Sequence, residues 1–115
     1  MFVLASASKP RQKLLRQIGL SHTVIVSDFD ETTVNEGDPL LKVKLLAKGK
    51  ANNVFKRLLK EEAKKPFKVF KAFLGCDSLF EFKGEIFGKP KNKEELISRW
   101  ERMSGAIGFL HTGHY

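Results

Sequence analysis

Apolar positions along the chain alternate between short runs and helical stripes. Residues 2–5 (Phe-Val-Leu-Ala) form an apolar run that predicts a buried strand. Ser6-Ala7-Ser8 breaks it, and beyond Pro10 the residues Leu14, Leu15 and Ile18 recur at helical spacing. Proline is favoured in a first helical turn, Ser8 or Lys9 lies near the cap, and Gly19 is a natural stop. Residues 23–27 (Thr-Val-Ile-Val-Ser) predict a second strand, which ends in Asp28-Phe29-Asp30-Glu31.

Gly37-Asp38-Pro39 then opens a long helix with Leu40, Val43, Leu46, Ala47, Ala51, Val54, Phe55 and Leu58 on its apolar stripe. Gly49 weakens that helix by about 1 kcal/mol relative to alanine. A polar tail over residues 60–65 follows, and Pro66 is the expected end. Residues 67–73 alternate apolar residues with lysine, close to a half-exposed strand. Lys83-Gly84 predicts the turn of a hairpin with arms at 80–82 and 85–87. Asn92 predicts a helix cap, with Glu94 and Glu95 in the first turn, Leu96, Trp100 and Met103 facing inward, and Ser104-Gly105 as the end. Residues 109–112 begin a last strand.

This alternation predicts an α/β fold, a sheet covered by helices, in one domain spanning residues 1–115. Hydrophobic residues make up 42% and charged residues 30%, ordinary for a soluble globular chain, and ten phenylalanines supply bulky core material. No apolar run approaches the roughly 20 residues a membrane-spanning helix needs. The apolar N-terminus is too short for a signal-peptide core. Cys76 is the single cysteine, which excludes an internal disulfide and a cysteine-rich zinc site and fits a reducing, cytoplasmic setting.

The formal net charge is +8, and it is concentrated. Residues 42–71 carry eleven Lys/Arg against Glu61 and Glu62, whereas residues 28–38 carry Asp28, Asp30, Glu31, Glu36 and Asp38. A basic excess favours polyanionic partners: nucleotides, phosphates or nucleic acid. Against a nucleic-acid module, Phe67, Phe70 and Phe73 lie where a core strand needs them rather than on a stacking platform.

Four segments carry candidate chemistry. The loop from Ser6 to Arg11 lies between a strand and a helix, where free backbone N–H groups and the helix dipole attract phosphate. Ser6 and Ser8 add hydroxyls, Arg11 can clamp a phosphate through two hydrogen bonds, and Lys9 adds a compact charge. Asp28, Asp30 and Glu31 cluster at a strand end, a composition that suits Mg²⁺. Asp77 follows the apolar Leu74-Gly75-Cys76, and a carboxylate leaving a buried strand is costly unless paired or functional; it could bind metal or take a proton from water. Gly88-Lys89-Pro90 presents a lysine at a tight turn, which with Lys50 could meet phosphate charge. His22, His111 and His114 show no metal-ligand spacing, and no phosphate-loop or dinucleotide glycine motif is present.

In order along the chain, these pieces resemble the Maf family. Leu4-Ala5-Ser6-Ala7-Ser8-Lys9-Pro10-Arg11-Gln12-Lys13-Leu14-Leu15 is similar to the family's opening Leu-Ala-Ser-x-Ser-Pro-Arg-Arg-x-x-Leu-Leu. Asp30-Glu31 and Leu46-Ala47-Lys48-Gly49-Lys50-Ala51 resemble its Asp-Glu and Leu-Ala-x-x-Lys-Ala. Gly75-Cys76-Asp77-Ser78, Gly84-Glu85-Ile86-Phe87-Gly88-Lys89-Pro90, Met103-Ser104-Gly105 and Thr112-Gly113 resemble the motifs that follow. The ordered set spans the whole chain.

The resemblance implies a mixed sheet flanked by helices of the inosine-triphosphatase type, and hydrolysis of nucleoside triphosphates to monophosphate and pyrophosphate. It implies that Asp77 is the catalytic carboxylate that activates water and that Glu31 helps hold Mg²⁺ or Mn²⁺. Ser6, Ser8, Arg11, Lys50, Ser78 and Lys89 are then expected to hold the substrate, and a homodimer is the expected assembly. Three departures stand out: Lys9-Pro10-Arg11 replaces Pro-Arg-Arg, Ser78 replaces a threonine, and Gly108 stands where the family has a histidine. Family members continue past the Thr-Gly motif, so a C-terminally shortened domain with an open sheet edge and exposed apolar surface is expected here. A catalytically inactive relative that only binds nucleotide is the alternative this shortening suggests.

Overall fold

The computed structural model describes residues 1–62 and 70–115. The expected helix end at Pro66 and the start of the strand expected over 67–73 lie outside them. Strand β1 (Phe2–Leu4) is the centre of a parallel sheet, between β2 (His22–Val24) and β3 (Ala72–Leu74). Leu4 is level with Val24 on one side and Leu74 on the other. A central parallel strand is covered on both faces. That explains the uninterrupted apolar run: Val3 and Leu4 are fully buried and Ala5 nearly so.

Helix α1 (Lys9–Gln17) links β1 to β2, and α2 (Pro39–Glu62) leads on towards β3. A second, antiparallel sheet places β4 (Cys76–Phe82) between β5 (Glu85–Phe87) and β6 (Phe109–His114), with α3 (Lys93–Met103) connecting β5 to β6. Lys83 (φ 47°) and Gly84 (φ 79°) turn the β4–β5 hairpin with two consecutive positive φ angles, the primed turn that matches strand twist. The parallel and antiparallel pairings expected of a mixed sheet are thus divided between two sheets. Gly75 alone separates β3 from β4, and both its N–H and its carbonyl pair with Tyr115 at 2.9 Å.

Helix α2 is the common support. Val43, Leu46, Ala47, Ala51 and Val54 are buried on it, at the spacing expected for one helical stripe. Gly75 lies against this helix so closely that a β-carbon there would meet the Ala47 carbonyl and come within 2.9 Å of the Ala51 backbone nitrogen. No described helix is long and apolar enough to cross a membrane.

Two expectations need correction. Strand β2 begins at His22 and ends at Val24, not Ser27; Ile25 still donates its N–H to the Leu4 carbonyl at 3.0 Å, and beyond it the chain turns to α2, where Arg57 donates to the Val26 carbonyl at 2.8 Å. Helix α3 does not turn Leu96 and Trp100 inward: both are exposed, Trp100 to 65%. Its packing face is basic instead, with the Arg99 guanidinium 4.7 Å from the Phe87 ring centroid and that of Arg102 5.9 Å from Phe82. Periodicity marks a helical face, but the arginines hold the hairpin because their planar heads lie over aromatic rings while keeping polar partners, Arg99 with the Gly88 carbonyl and Glu95, Arg102 with Glu85. Ile107, Phe109 and Leu110 are also exposed.

Candidate active site

The N-terminal wall of the site comes from the end of β1. Burial of Val3 to Ala5 carries the backbone outward at Ser6, which is only 9% exposed. Ser8 caps α1, its hydroxyl accepting the Arg11 N–H at 3.5 Å, and its own N–H donates to the Ser6 hydroxyl at 3.2 Å. The cap sets the direction of the helix and so of Arg11, whose guanidinium points back across the cleft. It donates to the Ser6 hydroxyl (3.2 Å), to the Cys76 carbonyl (3.3 Å) and to the Ser78 hydroxyl (3.1 Å). A guanidinium has five N–H donors. These three bonds tie the first loop to β4 and leave part of the fork for a ligand.

The floor is a charge cluster. Lys50, midway along α2, lies 2.8 Å from Glu31 Oε1 and 3.1 Å from Asp77 Oδ2, with the Lys50 and Asp77 side chains only 20% and 15% exposed. Burial alone would pull the pKa of the Lys50 ammonium down; the hydrogen bonds and charges of Glu31 and Asp77 outweigh it and hold the group above its usual value. The other Asp77 oxygen accepts the Ser78 N–H at 2.7 Å, which fixes the carboxylate plane. The Ser78 hydroxyl is shared with Thr112 of β6 at 2.9 Å. Burial, first of all, pushes the neighbouring Cys76 thiol up, so it stays protonated.

Ser6, Ser8, Arg11, Glu31, Lys50, Asp77, Ser78 and Lys89 all line one cleft of about 970 Å³. Five segments distant in sequence therefore converge on one space. Lys89 reaches it from the exposed Gly88-Lys89-Pro90 turn after β5. Lys9 does not line the cleft. The acidic cluster also divides: Asp28 pairs with Arg57 at 3.7 Å, Asp30 accepts the Thr32 N–H (3.0 Å) and hydroxyl (2.6 Å), and only Glu31 enters the cleft. Leu46, Phe80, Phe87 and Leu110 supply an apolar wall, of which Phe80 and Leu110 lie outside the quoted motifs, and Thr112 supplies the partner of Ser78. The Thr112-Gly113 pair was the sequence signal for the latter.

Asp77 and Glu31 meet on a single ammonium and so share one small volume. Mg²⁺ is commonly held by one or two carboxylates together with substrate phosphate oxygens, so this donor set fits Mg²⁺ or Mn²⁺ with a polyphosphate present. Among the described residues, no group of three or more His, Cys, Asp or Glu could hold an ion unaided.

The sequence pattern of the family described as "Maf-like protein" matches residues 1–115. A "Nucleoside triphosphate pyrophosphatase" of Prochlorococcus marinus (strain NATL1A) is 70% identical over 115 residues, covering 100% of this chain and 54% of that protein. Proteins of the same name from Prochlorococcus marinus (strain MIT 9301) and Microcystis aeruginosa (strain NIES-843 / IAM M-2473) are 48% and 45% identical, with 99% and 97% of this chain covered, and 57% and 52% of theirs. The chain thus spans about half the length of the curated relatives it matches. With the profile matched from the first residue to the last and the motif residues gathered in one cleft, the chain belongs to the Maf-like protein family.

Proposed function

We propose that the chain hydrolyses nucleoside triphosphates to the monophosphate and pyrophosphate, with Mg²⁺ or Mn²⁺, as a cytoplasmic enzyme. The observation that carries this reading is the convergence of Asp77, Glu31 and Lys50 at the floor of a cleft whose rim holds Arg11 and Lys89. The names of the relatives support the same chemistry.

Hydrolysis of a phosphoanhydride asks for placement and neutralised charge more than for covalent chemistry by the protein. Lys89 and the free part of the Arg11 fork would neutralise the outer phosphates, and the Ser6 and Ser8 hydroxyls would orient them. Lys50 would meet charge that builds on the transferred group, in a floor dry enough for that charge to count. Asp77, held in plane by the Ser78 N–H, would take the proton of the attacking water on Oδ2 as the anhydride bond between the α- and β-phosphates breaks. Asp77 and Glu31 would hold a divalent cation, which supplies Lewis-acid neutralisation of phosphate charge. The Ser78–Thr112 hydroxyl pair and the wall of Phe80 and Leu110 form the uncharged side, suited to the sugar and base. A homodimer is the assembly proposed with this function.

The test is pyrophosphate release by the purified chain with Mn²⁺ or Mg²⁺ and a panel of nucleoside triphosphates, alongside Asp77→Asn. Release that falls about 100-fold in the variant is expected for loss of a general base. No release from a sample shown to be folded would overturn the reading in favour of a nucleotide-binding relative without turnover.

A further inference from the structure

Residues 26–31 are laid along one face of α2, running opposite to the helix. Positions 57, 53 and 49 are successive turns of that face. Arg57 holds the Val26 carbonyl at 2.8 Å and faces the Asp28 carboxylate at 3.7 Å. Asn53 Oδ1 accepts the Ser27 hydroxyl at 3.4 Å and the Asp28 N–H at 3.3 Å, and the Ser27 oxygen in turn accepts the Phe29 N–H at 3.0 Å. The Phe29 ring lies over Gly49, where a β-carbon would come within 2.7 Å of Phe29 Cε2 and nearer still to two other ring carbons. One residue further on, Lys50 meets Glu31.

Glu31 opens a short 3-10 turn (Glu31–Thr33) whose shape comes from its own bonds, Thr33 N–H to the Asp30 carbonyl and Val34 N–H to the Glu31 carbonyl, both 3.2 Å. Those bonds shape the turn without placing it. Among the described residues, every hydrogen bond and ion pair from residues 26–34 to the rest of the chain goes to α2. Packing beyond Phe29 is sparse, because a cavity of about 540 Å³ lies between Thr33 and Val34 on the loop and Leu45, Lys48 and Asn52 on the helix.

We propose that Asn53, Arg57 and the Phe29–Gly49 contact are positioning residues for Glu31: they hold the loop against α2 so that its carboxylate reaches Lys50 and the cleft floor. They touch neither substrate nor cation. The inference rests on the reading of Glu31 as a cation-holding carboxylate, and it extends the machinery to the outer face of α2.

Three variants test it: Gly49→Ala, Asn53→Leu and Asn53→Asp, the last keeping an acceptor oxygen. The first readout is amide hydrogen exchange at Thr33 and Val34, which make no direct contact with the substituted groups in the hydrogen-bond pattern. Gly49→Ala and Asn53→Leu should each speed exchange there about tenfold while leaving buried amides of α2 such as Val54 unchanged, the mark of local opening. For Gly49→Ala the urea midpoint should stay close to the parent's, since alanine's better helix propensity offsets most of the lost loop contact, so loop exchange changes while global stability does not. The second readout is the half-saturating Mn²⁺ concentration for pyrophosphate release, expected to rise about tenfold in the same two variants, the scale seen when outer partners of a metal ligand are lost. Asn53→Asp should return both readouts to within about twofold of the parent if an acceptor oxygen is what matters. Unchanged exchange at Thr33 and Val34, equal acceleration throughout α2, or no rescue by Asn53→Asp would each overturn the proposal. Exchange needs no turnover, so a parent chain that releases no pyrophosphate defeats the enzymatic reading while the exchange arm still decides whether α2 anchors the loop.

Discussion

Gly75→Ala is the sharpest test of how the site is assembled. Gly75 joins the two sheets, and its backbone is fixed by paired 2.9 Å bonds to Tyr115, so the strand cannot slide to relieve a clash. A methyl group there would lie 2.9 Å from both the β-carbon and the backbone nitrogen of Ala51, and nearer still to the Ala47 carbonyl oxygen. Carbon atoms in good contact are about 3.5–4.0 Å apart, so strand and helix must separate by roughly 1 Å. Overpacking of this kind costs about 1–3 kcal/mol, and the obstacles are helix backbone rather than a mobile side-chain tip, which places the cost towards the upper end. Alanine's smaller unfolded-state entropy offsets about 0.4–1 kcal/mol of it. With a urea m-value of about 1–3 kcal/mol/M, a net loss near 2 kcal/mol lowers the midpoint by about 1 M. Far-UV circular dichroism is the right probe, since Trp100 is already 65% exposed and its fluorescence would change little. Gly37→Ala is the control, because a β-carbon at Gly37 meets no atom within 4 Å, and it should leave the midpoint unchanged or raise it slightly through the same entropy effect. Adding Ala51→Gly to Gly75→Ala should recover only part of the loss, because the Ala47 carbonyl remains. A Gly75→Ala chain as stable as the parent, or full rescue by Ala51→Gly, would refute the close approach.

The remaining expectations concern single groups. Lys50→Met leaves the Asp77 and Glu31 carboxylates facing each other without their shared cation. About 1–3 kcal/mol of stability should be lost at neutral pH, the scale for an unsatisfied buried acceptor, and thermal unfolding measures it; pyrophosphate release should drop about 100-fold or more. Asn92→Ala removes the cap of α3, whose side chain accepts the Glu95 N–H at 2.8 Å, and should cost about 1 kcal/mol in urea without altering release. The Glu95 carboxyl is held below its usual 4.5, first by the Lys91 N–H and then by Arg99. A depressed carboxylate contributes stability that is present above the unfolded value and lost as pH falls through the folded one, so α3 should loosen below about 4.5. Glu95→Gln should remove that acid step from the helical signal, and an unchanged acid limb would contradict the assignment.

Features with local causes were legible from the sequence. The Ser8 and Asn92 caps, the Lys83-Gly84 turn and the buried run ending at Ala5 each depend on residues within a few positions, and each lies where its chemistry places it. The ordered motifs also drew Asp77, Lys50 and Lys89 together, which spacing alone could not do. The misjudged features depended on partners remote in sequence. Leu96 and Trp100 have helical periodicity, but whether a face is covered depends on what lies opposite, and opposite α3 are Phe82 and Phe87 with arginines stacked on them. Asp28, Asp30 and Glu31 read as one acidic cluster because composition does not record direction. A helix face 19 to 29 residues further along the chain sends Asp28 to Arg57 and leaves Glu31, alone of the three, in the cleft.

The same distinction explains the position of Gly49. In the sequence it is a defect in a long helix, and by propensity it should be an alanine. In the structure it is one of three places where α2 is approached closely: by the Phe29 ring at Gly49, by Gly75 at Ala47 and Ala51, and by Gly113, where a β-carbon would lie 2.6 Å from the Val43 carbonyl. Lys50 lies among these contacts. An ammonium that must reach a carboxylate from a loop on one side and from a strand on the other needs both brought within about 3 Å of one nitrogen. That is possible only where neither the helix nor the strand carries a side chain at the point of contact. The helix therefore gives up propensity at the residue next to its reactive lysine, and the strand gives up a side chain two residues before its reactive aspartate. Helix stability and site geometry are opposed at Gly49, and a substitution that improves the first should degrade the second.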